Sequence, residues 1–565
     1  MKVGHYNLIA LYHLSLAELT QTQPSDTFNP FPCFLEERKL IPGDTASDDS
    51  FQTIKLWIEN CTTNHKKCGS GDEQPLPTRV LDLGAGNPGP DTDTIRLFLT
   101  ENQPARYACL SYCWGNPEGI VKTTKESLGR HCGGISVLNL PKTFRDTITV
   151  ARKLGLRYLW IDSLCIIQND LADWERESSR MADVYQNSYV TIAAAKSSDV
   201  QGGLFSVASP AHSVHSLSYV DANGTPATVY TRWALPHSFG WTDIKNMEFP
   251  LYGRGWTYQE RLLAPRVLSF GPHELIMECV SFSVCECSKE QDSSDSKYRF
   301  PKLMFGEMNH QPMDLPSKGS DSWNNIVETY SQLALTVESD KLSAISGIAK
   351  AVQQHTGSFY AAGLWSSHLP RGLGWGKHQS AQKRPSQWRA PTWSWASVDG
   401  PVGFVEADWH ESENLADVID VKCERLSKDT TGQLKSGYLT LLCTPIIYAP
   451  AQMSKFRLSL EDCSFDYIED KKASLAGAPI WWVPISTCSN NSSGPFTCLV
   501  LKETQKKIKD IPNLNMDLIR EHRDAGMMIH QFAMERVGLL PTHMSRGKRM
   551  LSRQSATPKT IVVLI

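Results

Sequence analysis

Residues 107–115 read YACLSYCWG and residues 158–168 read YLWIDSLCIIQ. Each is an apolar run of strand length that ends on polar or aromatic groups: Ser111, Tyr112 and Trp114 in the first, Asp162, Ser163 and Gln168 in the second. Between them a helix is expected to begin at Pro141, whose missing N–H costs nothing in a first turn. Phe144, Ile148, Ala151 and Leu154 share one face of it, and Gly155 stands where it should stop. A further helix is expected over about residues 170–185, with Trp174, Ser178, Met181 and Tyr185 on one face, and then a buried strand, YVTIAA, over 189–194. Strand, helix, strand, helix, strand predicts a parallel sheet covered by helices. Ligands of such sheets sit beyond the carboxyl ends of the strands, which makes Ser111, Tyr112, Trp114, Gly115, Asp162, Cys165 and Gln168 candidate binding residues. A bland reading stands beside this one, with Asp162 as a turn cap and Cys165 as plain core.

A third segment, GRGWTYQERLL (253–263), brings Arg254, Trp256, Gln259, Glu260 and Arg261 into one turn and helix. Arg254 suits a phosphate or carboxylate and Trp256 suits stacking on a ring. An Arg254–Glu260 ion pair that locks the segment in place is an equal alternative.

Outward from these segments, 565 residues are too many for one core. With 41% hydrophobic and 21% charged residues the chain belongs among globular proteins, and a net charge of −3 gives no basic field for nucleic acid. Fifteen scattered cysteines in a chain this long are expected to be reduced thiols of a cytoplasmic protein. The N-terminal apolar stretch is interrupted by His5, Tyr6, Asn7 and His13, so neither a signal peptide nor a membrane span is expected. Residues 1–104 read as a lead-in, 105–287 as the principal domain and 288–322 as a linker or surface loop. Residues 323–414 read as a helical, Trp-rich junction and 415–565 as a β-rich region ending near a short basic tail (Arg546, Lys548, Arg549 and Arg553).

Two lead-in motifs carry weaker signals. VLDLGAG (80–86) looks like the first motif of an S-adenosylmethionine-dependent methyltransferase, but Pro88 and Pro90 oppose the helix that such a site needs. Cys61, His65 and Cys68 are three close metal ligands where a structural zinc site needs four, so no metal is expected and reduced thiols at a helix end are preferred.

The three quoted segments also carry a family resemblance. YACLSYCWG, LPKTFRDTITVARKLGLRYLWIDSLCIIQND, DWERESSRMADVYQNSYVTIAA and LYGRGWTYQERLLAPRVLSF, in that order over residues 105–275, closely resemble the heterokaryon-incompatibility (HET) domain of filamentous fungi. The resemblance implies self/non-self recognition leading to programmed cell death, with a protein partner or self-association. By the proposed kinship of HET and TIR domains it also implies a TIR-like, flavodoxin-like parallel sheet and NAD as a substrate rather than a bound cofactor. NAD cleavage needs a carboxylate beside the nicotinamide ribose, for which Glu177, Glu175 and Asp162 are the candidates. The bland reading of DWERESSR is a solvated face with Asp173/Arg176 and Glu177/Arg180 pairs. A non-enzymatic interaction module is the alternative function.

Overall fold

The computed structural model describes residues 9–14, 41–84, 93–210, 212–213, 215–220, 224, 226–233, 248–287, 291–292, 302, 305, 318–377, 384–405, 412–448, 463–488, 495–543 and 558–565. The loop after Gly84, most of the expected 288–322 linker and the basic tail lie outside them. The chain divides into two compact units, Met1–Glu307 and Met308–Ile565.

The first unit is built on one large sheet. Its principal elements in chain order are α1 (Asp48–Asn64), β1 (Arg79–Asp82), β2 (Thr94–Leu99), β3 (Tyr107–Ser111), α2 (Lys142–Lys153), β4 (Tyr158–Trp160), α3 (Leu171–Ser178), α4 (Met181–Gln186), β5 (Val190–Ala193), α5 (Thr257–Leu263), β6 (Arg266–Phe270), β7 (Leu275–Cys279) and β8 (Phe282–Cys285), and a separate three-stranded sheet joins Ile9–Leu14, Pro226–Trp233 and His215–Val220. Across the sheet the order is β8-β7-β6-β5-β3-β4-β1-β2, with two-residue strands added at each edge.

Only β4, β3, β5 and β6 are mutually parallel, with Cys109 of β3 opposite both Trp160 and Thr191, and Thr191 opposite Val267. The expected parallel sheet is thus a mixed one. The β1–β2 pair and the β6–β7–β8 meander are antiparallel because their connections are too short for a crossover. Numbered along the chain, the four parallel strands lie in the order 2-1-3-4, which is the flavodoxin-like winding. All residues of β3, β4, β5 and β6 are buried, as expected for strands covered on both faces.

α2 forms where its periodicity places it, with Phe144, Thr147, Ile148 and Ala151 buried, and Gly155 leaves it at φ +74°. The expected 170–185 helix is broken into α3 and α4 at Ser179 and Arg180. Asp173 and Glu177 on α3 are both buried, against the bland reading of DWERESSR as a solvated face. The methyltransferase reading fails on topology. β1 runs antiparallel to both β4 and β2, so VLDLG opens no strand–helix–strand crossover, and Asp82 is instead held by Arg157 (2.8 Å) and Arg96 (3.0 Å).

The second unit begins with helices Lys318–Tyr330 and Ser343–Thr356 and continues into a largely antiparallel sheet whose long strands are Asp417–Arg425, Leu434–Cys443, Ile480–Cys488, Pro495–Lys507 and Phe532–His543. The tryptophan-rich stretch is the interior of this unit. Trp365, Trp375, Trp393 and Trp395 are buried, whereas Trp388 is exposed. The indoles of Trp323 and Trp395 both donate to the Gly363 carbonyl, at 2.9 and 2.8 Å.

Candidate functional site

In the 2-1-3-4 order the chain leaves β3 toward β4 on one side and later places β5 on the other. The switch point therefore lies between β3 and β5, whose carboxyl-end residues Ser111 and Ala193 are opposite one another. Six of the predicted site residues converge here: Ser111, Tyr112, Trp114, Asp162, Arg254 and Glu260. Ser111 Oγ donates to Glu260 Oε2 on α5 at 2.5 Å. Tyr112 Oη donates to Asp162 Oδ1 at 2.7 Å, and Trp114 Nε1 donates to Asp162 Oδ2 at 2.8 Å. The Ser163 N–H closes on Asp162 Oδ1 at 2.6 Å. Arg254 Nη1 donates to the Tyr112 carbonyl at 2.5 Å, which brings the third segment against the first. Ser111, Tyr112 and Glu260 are buried, while Trp114, Asp162 and Arg254 are half-buried.

The electrostatics follow from burial. Loss of solvent pushes the Glu260 carboxyl up to about 7, against the Ser111 hydrogen bond and with a further upward push from Asp162, which Arg254 opposes. Burial also raises Asp162, while Tyr112, Trp114, the Ser163 N–H and Arg254 favour its ionised form. A carboxyl that titrates near neutrality beside a second carboxyl and a guanidinium is suited to giving and taking a proton.

The other predicted residues have different places. Gly115 is exposed, and Gln168 bridges the carbonyls of Asp162 and Ile166 at 3.1 Å each, bracing the turn after β4. Cys165 is core, its thiol pushed up to about 12 by burial. Trp256 packs half-buried against the hydrophobic core, and Gln259 is buried in α5. Arg254 and Glu260 influence one another through space, but each has its hydrogen bond elsewhere. The buried ion pair of this segment is Arg261 with Glu278, joined by two 2.6 Å bonds. Glu278 lies seventeen residues beyond Arg261, on strand β7, so sequence spacing gives no sign of the pair.

Glu175 is exposed. Glu177 is held by Arg176 at 3.0 Å and faces Arg79 at 3.8 Å, while Arg79 bonds Asp173 at 2.5 Å. The expected Asp173–Arg176 pair is present, but Arg180 turns to Thr78 Oγ1 (2.8 Å) rather than to Glu177. Of the three candidate carboxylates, Asp162 is the one that stands at the switch point, where Glu260 joins it.

A separate cluster gathers Cys61, His65 and Cys68 with Cys279, a fourth group that the local motif does not reveal. A second group, Glu274, Cys285 and Cys287, has three ligand-type side chains.

These features define an α/β domain of flavodoxin-like winding with a polar cluster at its switch point. The family model for the heterokaryon incompatibility protein (HET) matches residues 107–260, and a HET domain is present over that part of the chain. At the level of the family, the match supports a fungal self/non-self recognition protein. No curated protein and no solved structure matches the chain significantly. Among the described residues no helix is long and apolar enough to cross a membrane.

Proposed function

We propose that this chain is an incompatibility effector of the fungal cytoplasm, whose HET domain is TIR-like and triggers cell death by cleaving NAD, with self-association or a protein partner as its control. The observation that carries the reading is the placing of Asp162 and Glu260, with Arg254, at the carboxyl end of the sheet where doubly wound folds bind nucleotides. In the cleavage, the bond from the ribose C1′ to the nicotinamide nitrogen breaks and its electron pair leaves with nicotinamide. Water then adds to C1′ and gives up a proton. An ionised carboxylate beside C1′ stabilises the intervening positive charge, and a neighbouring group of pKa near 7 takes the proton from water. Asp162 is assigned the first role and Glu260 the second; Arg254 meets the diphosphate.

The test is release of nicotinamide from NAD by the purified full chain, with self-association induced. Asp162→Asn and Glu260→Gln are expected to abolish release, and Glu175→Gln to retain it. No release by the wild-type chain at high concentration would sink the reading. The second reading, a non-enzymatic docking module, is favoured by one feature: both Asp162 oxygens already have partners, as in a clamp between strand ends. Under that reading the same variants lose partner binding without any NAD chemistry to lose.

A further inference from the structure

We propose that Cys61, His65, Cys68 and Cys279 hold one structural zinc ion. The first three come from a single helix end. Cys61 lies in the last turn of α1, His65 follows as its cap, and a helical turn at Lys66–Cys68 carries Cys68 back toward both. Two backbone bonds fix that shape: His65 N–H to the Cys61 carbonyl at 3.2 Å and Cys68 N–H to the His65 carbonyl at 3.0 Å. The fourth ligand, Cys279, closes β7 more than two hundred residues later.

The four ligand atoms all lie within 4.8 Å of one another. A tetrahedral zinc ion with Zn–S near 2.3 Å and Zn–N near 2.0 Å sets ligand atoms roughly 3.5–3.8 Å apart. Cys279 Sγ and His65 Nδ1 are 3.5 Å apart, which already fits. Three sulfurs and an imidazole are a soft donor set, and a complete set of four leaves no open position, so the chemistry is that of a structural site.

Hydrogen-bond donors surround the sulfurs. The N–H groups of Ser281 and Phe282 both point at Cys279 Sγ at 3.4 Å, and Ser281 Oγ lies 3.6 Å from Cys68 Sγ. Arg266 is buried, and its Nη1 donates to Cys61 Sγ at 3.7 Å and to the Cys68 carbonyl at 3.3 Å. Three thiolates and a neutral imidazole around a divalent ion leave one negative charge, which the Arg266 guanidinium offsets. Binding releases the three thiol protons to solvent. The ion would fasten the end of α1 to the β7–β8 turn, and through Arg266 to β6. A fragment that begins at residue 105 lacks three of the four ligands.

The experiment is metal analysis of the full chain, purified under reducing conditions with zinc supplied and dialysed against a weak chelator. The wild-type chain is expected to retain zinc, and Cys279→Ser to contain one equivalent less. Because Glu274, Cys285 and Cys287 offer a second three-ligand group, the difference between chains rather than the total identifies the site. Cobalt substitution is expected to give the intense visible absorption of a tetrahedral thiolate site, and His65→Cys to keep the ion while changing the sulfur-to-cobalt charge-transfer band. Should Cys279→Ser be insoluble, a mercurial thiol reagent added to the wild-type chain must release zinc to a dye. Folded wild-type chain without zinc or cobalt absorption, a disulfide among the three cysteines, or undiminished metal in Cys279→Ser would each overturn the proposal.

Discussion

Ser111 at the end of β3 donates its hydroxyl to the carboxyl of Glu260 on α5, across 149 positions of sequence, at 2.5 Å. The bond joins the first and third of the segments that identify the domain. It also makes Glu260 a reporter of the switch point. Its carboxyl is pushed up to about 7 from an ordinary value of 4.5, mainly by burial. A raised carboxyl binds its proton more tightly in the folded state. Its contribution to stability is therefore complete below about pH 4.5 and is lost as pH rises through 7. Glu260→Gln carries no such titration. The variant is expected to gain on the wild type by about 2 kcal/mol between pH 5 and pH 8, seen as converging or crossing melting temperatures. Parallel profiles across that window would show that Glu260 is not titrating there.

Arg261 and Glu278 form a two-bond ion pair with both side chains almost fully buried, and the Arg261 guanidinium lies 4.1 Å from the centre of the Tyr252 ring. Arg261→Ala takes both hydrogen bonds from the buried Glu278 carboxylate and leaves the through-space field of Lys302 to balance it, at a cost of about 3–5 kcal/mol. Replacing both, as Arg261→Met with Glu278→Leu, removes the stranded charge and should recover most of that loss. Denaturant melts of the single and double variants measure it. An additive double variant would show that the pair is not coupled.

Gly115 is held by geometry on two counts. Its φ is +66°, and a Cβ built there would fall 2.3 Å from the Asp199 Cβ and 3.1 Å from its Cα. The Asp199 loop cannot retreat easily, because Asp199 Oδ1 accepts the N–H groups of Gln201 and Gly202. Gly115→Ala is expected to cost about 2–4 kcal/mol, from the left-handed backbone and the crowding together. Gly129→Ala, with nothing within 4 Å of the added methyl, should be neutral or slightly stabilising. Equal melting temperatures for Gly115→Ala and the wild type would overturn this account.

What the sequence makes legible here is local. Pro141, the Phe144–Ile148–Ala151 spacing and Gly155 predict α2, and strand-end polarity picks out Ser111, Tyr112, Trp114 and Asp162, because these signals are contained in short windows. What is not legible depends on long-range partners. Asp173 and Glu177 can be read as solvated or as inward-facing charges until Arg79 arrives from a strand some ninety residues earlier and decides it. Cys61, His65 and Cys68 look like an incomplete set until β7 brings Cys279 beside them. The mixed character of the sheet is hidden for a similar reason, since a fully buried strand has the same composition whichever way its neighbours run.

The Arg79 cluster ranks its two carboxylates by how closely each balances the buried guanidinium. Arg79 is buried, with Nη2 on Asp173 at 2.5 Å and Nε on the Cys165 carbonyl at 2.6 Å, while Glu177 stands farther off at 3.8 Å. Asp173 also accepts the Ile167 N–H at 2.8 Å, so one carboxylate secures both Arg79 and the turn after β4. Asp173→Ala is expected to destabilise the chain by about 3–5 kcal/mol, because it strands a buried guanidinium with only the more distant Glu177 to balance it. Glu177→Gln should cost less, since Arg79 keeps its closer partner and Arg176 is half exposed to solvent. Chemical denaturation orders the two variants. Glu177→Gln costing as much as Asp173→Ala would mean that Glu177, rather than Asp173, balances the buried arginine.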